Sequence, residues 1–316
     1  MSFSRFLKIA AGVFVGATML TFVGPVVGEA IATFPPLFPR EIPNPQTELG
    51  LTYEDVVFPT TEGLMLRGWF IPAEKANSPA VLYAPATSHD QRSGLSLVSP
   101  FHQAGYNVLL FSYRGHAQSD GDRGKFTYGD AESRDVDAAV TFLRESRGIE
   151  QIAVIGHSVG AASAIMSAAR NPAIGAVVAV APFACVNEIW QTNRPGVVPP
   201  FVLKWTLWVV EKTRGFDRDD ICPLDVVGRI APRPLLVIHG TEDKRITEEQ
   251  VRRLFDAAQK PKSLWMVDGA THSGIRTPVL DTLAPDVIAF LDAAWQDRVA
   301  VVANSQHRLS AGVGLQ

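Results

Sequence analysis

The stretch from Gln151 to Asn171, QIAVIGHSVGAASAIMSAARN, restricts the fold more than any other part of the chain. Ile152, Val154 and Ile155 form a short apolar, β-branched run of the kind that makes a buried strand. Gly156-His157-Ser158-Val159-Gly160 breaks that run, and small residues with helical character follow. The pattern predicts a strand, a sharp turn and a helix. Ser158 stands at the centre of a G-x-S-x-G turn, where flanking glycines let the backbone pass closely enough to hold the serine strained, with its hydroxyl exposed. The helix N-terminus points at the same spot and favours negative charge there. Glycine and serine are common, so the five residues gain their weight from the buried-type strand before them and the Ala-rich helix after them.

Similar units flank this one. Tyr53 to Phe58 and Leu64 to Ile71 read as two strands around the turn Thr61-Glu62-Gly63, an antiparallel pair opening a sheet. Ala80 to Ala84 and Asn107 to Tyr113 read as strands separated by a helix from Leu95 to Ala104 that Gly105 closes. Asp130 to Arg147 carries Val136, Ala139, Val140 and Leu143 at helical spacing, with acidic residues at its start and arginines near its end, as the helix dipole favours. Ala176 to Val180, Pro234 to Ile238 and Leu264 to Val267 are further strands, and Glu249 to Ala258 and Pro285 to Trp295 further helices. Continuous apolar strands alternating with helices mean an α/β fold: a mostly parallel sheet with helices on its faces. At 316 residues the chain is long enough to bury a sizeable core. The alternation lapses between Pro182 and Asp225, where Pro199 to Glu211 (PPFVLKWTLWVVE) is apolar nearly all round. Such a helix must be covered, either as a cap packed on the domain or as a lid that lines an apolar substrate pocket or dips into a membrane surface.

The N-terminus is different in kind. Arg5 and Lys8 precede a charge-free run from Ile9 to Gly28, long enough at 1.5 Å per residue to cross a hydrocarbon core about 30 Å thick. Residues 1–33 therefore predict a membrane anchor with the remainder extracytoplasmic, with a secretory signal cleaved near Ala30-Ile31-Ala32 as the second reading and a buried core helix as the third. Residues 34–47, rich in proline, read as a stiff extended linker, and residues 299–316 as a flexible tail. Between them, 48–298 reads as a single α/β domain, with a cap inserted at about 184–224. Lys and Arg number 29 against 32 Asp and Glu, with no basic block, so nothing favours nucleic acid as a partner. Cys185 and Cys222, the two cysteines, either pair or stay as buried thiols; sequence leaves both open.

A serine hydroxyl is a poor nucleophile until a base takes its proton, and the base needs an acid to fix its tautomer. Of seven histidines, His272 follows a predicted strand in WMVDGATH, and Asp243 holds the equivalent place after the preceding strand in VIHGTED, with Glu242 as its competitor. Ser158, Asp243 and His272 then all lie beyond the carboxyl ends of parallel strands, where open α/β sheets bind ligands. In that arrangement Ser158 attacks a carbonyl carbon, His272 relays the proton to the leaving group, and Asp243 holds the imidazolium. Two N–H groups must receive the oxyanion. Val159 supplies one, and the loop Pro85-Ala86-Thr87-Ser88 the other, with Thr87 ahead of Ala86. His116 and His157 read as loop or core histidines, and His89-Asp90 lacks a third ligand for a metal. No Walker A pattern or G-x-G-x-x-G is present, so no cofactor is implied.

These residues together resemble the α/β-hydrolase superfamily. The resemblance spans about Tyr53 to Trp295 and rests on GHSVG, AGYNVLLFSYRGHAQSDG, PRPLLVIHGTEDKRI and the loop ending at His272. Within the superfamily the chain is similar to membrane-anchored bacterial esterases, thioesterases and serine-peptidase relatives. The resemblance implies an eight-stranded sheet, a Ser158, Asp243, His272 triad and no cofactor. Many relatives carry His-Gly where this chain has Pro85-Ala86, a departure in the loop expected to hold the oxyanion. The function expected is hydrolysis of an ester or thioester of a hydrophobic, acyl or lipid-like substrate, with peptidase or amidase activity, or ligand binding without turnover, as rivals.

Overall fold

The computed structural model describes residues 16, 18–36, 42–194, 196, 198–276 and 282–296, and the backbone of 306–310. Its strands are β1 (Glu54–Pro59), β2 (Met65–Ile71), β3 (Ala80–Ala84), β4 (Asn107–Ser112), β5 (Ile152–His157), β6 (Ile174–Val180), β7 (Leu235–Gly240), β8 (Lys262–Asp268) and β9 (Gln306–Ser310). They form one sheet in the order β1-β2-β4-β3-β5-β6-β7-β8-β9. β2 pairs antiparallel with both β1 and β4, and every other pairing is parallel. The eight strands implied by the resemblance are thus present. The ninth lies within the stretch expected as a tail, whose other residues fall outside those described.

All residues of β3, β4, β5 and β7 are buried, because helices cover both faces of the sheet. Alternate side chains go to opposite sides. Leu82 and Val154 join one core with helices α4 (Asp130–Thr141) and α5 (Val159–Arg170), as do Val136 and Ile165. Val81 and Ile155 join the other, with α3 (Leu95–Gln103) and α9 (Ala284–Trp295) contributing Phe101 and Phe290. β1, on the sheet edge, alternates exposed and buried residues after its first two.

The N-terminal segment corrects the sequence expectation. Among the described residues no helix is long and apolar enough to cross a membrane. The described part of the apolar run includes a π-helical turn, Met19–Val23, continued by α1 (Gly24–Thr33). Met19, Val23, Val27 and Ile31 are exposed, and the segment is held to the domain by contacts that hydropathy does not register. Phe22 packs edge-on against Trp205 with ring centroids 5.2 Å apart, and Glu29 pairs with Arg214 at 2.6 Å, both on helix α7 (Pro200–Arg214). The anchored, extracytoplasmic placement therefore falls; residues 1–15 and 17 of the expected anchor lie outside those described.

Within the expected linker, Asn44 caps a short helix, α2 (Pro45–Leu49), accepting from the Gln46 and Thr47 amides at 3.0 and 2.9 Å. Between β6 and β7 come α6 (Val186–Thr192) and α7. α7 buries Val202, Thr206, Leu207 and Val210, and leaves Phe201 and Trp208 exposed. Cys185 and Cys222 are joined, so the segment leaves and re-enters the domain at one disulfide. Helix α8 (Glu248–Ala257) follows β7.

Candidate active site

Ser158 is the residue between β5 and α5, with φ 55° and ψ −117°, a strained backbone for a residue with a side chain. The flanking glycines explain why the chain can turn there. A Cβ at Gly156 would lie 2.2 Å from the Gly160 carbonyl, and one at Gly160 would lie 2.1 Å from the Ala84 carbonyl and 2.6 Å from that of Pro85. Only glycine permits the strand to fold back on its own helix, and that helix to start against the end of β3.

Asp243 and His272 stand just past the carboxyl ends of β7 and β8, in loops held together. The Glu242 amide donates to the Ala270 carbonyl at 3.0 Å, and the Thr241 amide to that of Val267 at 3.0 Å. The His272 Nδ1–H donates to Asp243 Oδ2 at 2.7 Å, and His272 Nε2 lies 3.1 Å from Ser158 Oγ. The structure thus brings together three residues separated by 114 positions between the first and the last. Glu242, the competing acid, is exposed.

The other oxygen of Asp243, Oδ1, accepts the amides of Arg245 and Ile246, each at 2.9 Å. Burial opposes the Asp243 charge, but the His272 hydrogen bond and charge and the Ile246 amide outweigh it and hold the carboxyl below the usual carboxylate range. His239, fully buried, has Nδ1 4.0 Å from Asp243 Oδ2. Burial lowers its pKa despite that carboxylate, so it is a neutral neighbour of Asp243 and not an ion-pair partner.

Helix α5 begins with Val159, and the amides of a first helical turn have no intrahelical partner. Gly160 rests on Ala84 and Pro85, which lead directly into Ala86 and Thr87. The Thr87 carbonyl accepts His89 Nδ1–H at 2.8 Å, and the His89 amide donates to the Ala86 carbonyl at 3.1 Å. Ser88, at φ 58°, donates its hydroxyl to the Ala32 carbonyl at 2.8 Å, so the N-terminal helix abuts this loop. Asp90 is taken up by Arg92, whose Nη2 lies 2.6 Å away.

The loop after β4 is architectural. Arg114 donates from Nη2, Nε and its backbone amide to Asp135 at 2.7, 2.9 and 2.9 Å, and its carbonyl accepts from buried His116 at 3.0 Å. His157 is more than the core residue the sequence suggests. Its Nε2–H donates to the His272 carbonyl at 3.1 Å, a bond between residues 115 apart that only the order of the strands creates. The G-x-S-x-G spacing is visible in the chain; this bond has no local signal.

The model of a family described as serine aminopeptidase, S33, matches residues 86–215, a stretch that includes Ser158 and ends before Asp243 and His272. The chain is 27% identical over 245 residues to the uncharacterized protein YqkD of Bacillus subtilis (strain 168), covering 75% of this chain and 78% of that one. Among solved structures, the esterase Pf2001 of Pyrococcus furiosus superposes with a TM-score of 0.67 at 23% identity, covering 83% of this chain and 97% of that one. A protein titled alpha/beta hydrolase GrgF, from Penicillium sp. sh18, gives a TM-score of 0.60 at 23% identity, covering 80% and 99%.

Proposed function

We propose that this chain, which has the α/β-hydrolase fold, is a serine hydrolase that cleaves a carboxylic ester or thioester through an acyl-enzyme. The observation that carries the reading is the continuous line from Asp243 Oδ2 through the His272 ring to Ser158 Oγ, at 2.7 and 3.1 Å. With Nδ1–H donating to Asp243, Nε2 is free to take the hydroxyl proton as Oγ attacks the carbonyl carbon. The oxyanion is received by the Val159 and Thr87 amides. As the tetrahedral intermediate collapses, His272 returns the proton to the leaving alcohol or thiol; water then repeats the cycle on the acyl group.

A hydrophobic or acyl substrate is suggested by the apolar character of the segment between β6 and β7, whose helix α7 leaves Phe201 and Trp208 exposed. A second reading, amide or peptide hydrolysis, is favoured by the description of the matching family.

Labelling of the purified protein with a fluorophosphonate probe, beside Ser158→Ala and His272→Ala, tests the proposal. Labelling of the native protein lost in both variants is expected. No labelling of the native protein, with no turnover on ester, thioester or amide substrates, overturns it. Comparing p-nitrophenyl esters with aminoacyl p-nitroanilides separates the two readings.

A further inference from the structure

His272 must satisfy two partners at once, Asp243 at 2.7 Å and Ser158 at 3.1 Å, from a loop held on either side of it by the Glu242 bond to Ala270 and by the buried side chain of Ile275. Within that loop the Ile275 amide donates to the Thr271 carbonyl at 2.9 Å and the Gly274 amide to Thr271 Oγ1 at 3.1 Å, both internal bonds. Among the described residues, the main chain of 271–275 makes one bond to another element. That bond comes from His157 Nε2–H to the His272 carbonyl, at 3.1 Å.

We infer that His157 is a positioning residue for His272, tying the loop that carries the base to the elbow that carries the nucleophile. His157 ends β5 and precedes Ser158 directly, so its ring is carried by the buried strand that leads into the nucleophile turn. It also lies against the base itself, the two ring centroids 5.5 Å apart and tilted by 32°. The carbonyl acceptor places the His157 proton on Nε2, and Nδ1 is buried with no partner, which leaves a single donor aimed at a single acceptor. Burial, reinforced by the His272 charge, lowers the His157 pKa to about 3, so the ring stays a neutral donor while His272 gains and loses its proton. The nearby titratable groups are His272, His89 and Arg276, all of which disfavour a second positive charge there.

A structural histidine and a positioning one predict different behaviour. In His157→Leu the ring is replaced by an apolar side chain, no new orphan appears on that side, and the His272 carbonyl loses its donor. In His157→Gln the amide nitrogen restores a donor on a longer arm. A displacement of the base by about 1 Å is enough to cost on the order of 100-fold in rate.

The inference rests on the proposed role of His272, so the experiment has one readout that needs no turnover. Proton NMR of the native protein is expected to show the His272 Nδ1–H far downfield through its bond to Asp243, and the His157 Nε2–H protected from exchange. The His272 signal persists in His157→Gln and broadens by exchange in His157→Leu. The rate of fluorophosphonate labelling falls by about 10- to 100-fold in the leucine variant and returns to within about threefold in the glutamine variant. A downfield signal equally sharp in the leucine variant, or a native His157 protonated on Nδ1, overturns the inference; the native measurement stands even where a variant fails to fold. Native protein with the expected spectra but no labelling overturns the proposed hydrolase activity and leaves the positioning role in place.

Discussion

The carbonyl oxygen of Ala84 lies 2.1 Å from where a Cβ on Gly160 would stand. The end of β3 and the start of α5 therefore meet through their backbones, next to the loop that contains Thr87. Gly160→Ala forces those backbones apart. It is expected to lower stability by about 1–3 kcal/mol, as overpacking does, and to reduce ester turnover far more than the stability loss accounts for. Thermal melts beside kcat at saturating substrate check this; full activity at a lowered Tm would show that the contact does not shape the oxyanion site.

Asp243→Asn keeps the size of the acid and removes its charge. The amide no longer fixes the Nδ1 proton of His272, which leaves Nε2 unable to accept from Ser158. A fall in kcat on the order of 10³- to 10⁴-fold, with KM little changed, is the expected result in steady-state ester hydrolysis.

The same carboxylate makes a pH-dependent contribution to stability. Its folded pKa lies below the unfolded value of about 3.9, so the contribution is fully present above that value and is lost as pH falls through the lower folded one. Urea denaturation of native protein and Asp243→Asn should give a constant stability gap above about pH 5 that closes as pH drops below about 4. A gap that widened toward acid would contradict the bond network drawn around Asp243.

Arg214 and Glu29 make an ion pair with side chains only 7% and 14% exposed, to which Tyr128 and Thr33 add hydrogen bonds. Removing one partner of such a pair strands the other. Arg214→Met alone should cost about 3–5 kcal/mol, whereas Glu29→Leu with Arg214→Met should recover most of it. A double-mutant cycle in denaturant measures this, and additive or negligible effects would mean that α1 is not docked on α7.

The sheet was readable because its strands are buried on both faces and so appear as unbroken apolar runs; Asn107 to Ser112 and Ile152 to His157 are examples. The glycines around Ser158 were equally plain, since the elbow tolerates nothing larger. Asp243 and His272 could be picked out by their place after strands, although the distances between them depend on pairing that no local pattern encodes. The same dependence hid His157, whose ring looked like core until β5 and β8 were set two strands apart, and His239 beneath Asp243. The N-terminal run shows the opposite failure. Its hydropathy was legible, but an apolar helix against Trp205 and one against lipid use the same residues, and Glu29 discloses its partner only when Arg214 is beside it. Asn44, a capping residue in front of Pro45, was a local sign of the short helix in the expected linker and was overshadowed by the prolines around it.

The Cα atoms of Cys185 and Cys222 lie 4.0 Å apart, which is the spacing of neighbours along a chain. Everything between them is a closed excursion that begins and ends at one point on the rim of the sheet. A short turn can bridge that point, and a different excursion can be grafted onto it, while Ser158, Asp243 and His272 are carried by the turn and loops at the ends of β5, β7 and β8, which lie outside it. On the proposed reading, the excursion is an interchangeable part and the sheet with its three residues the chassis.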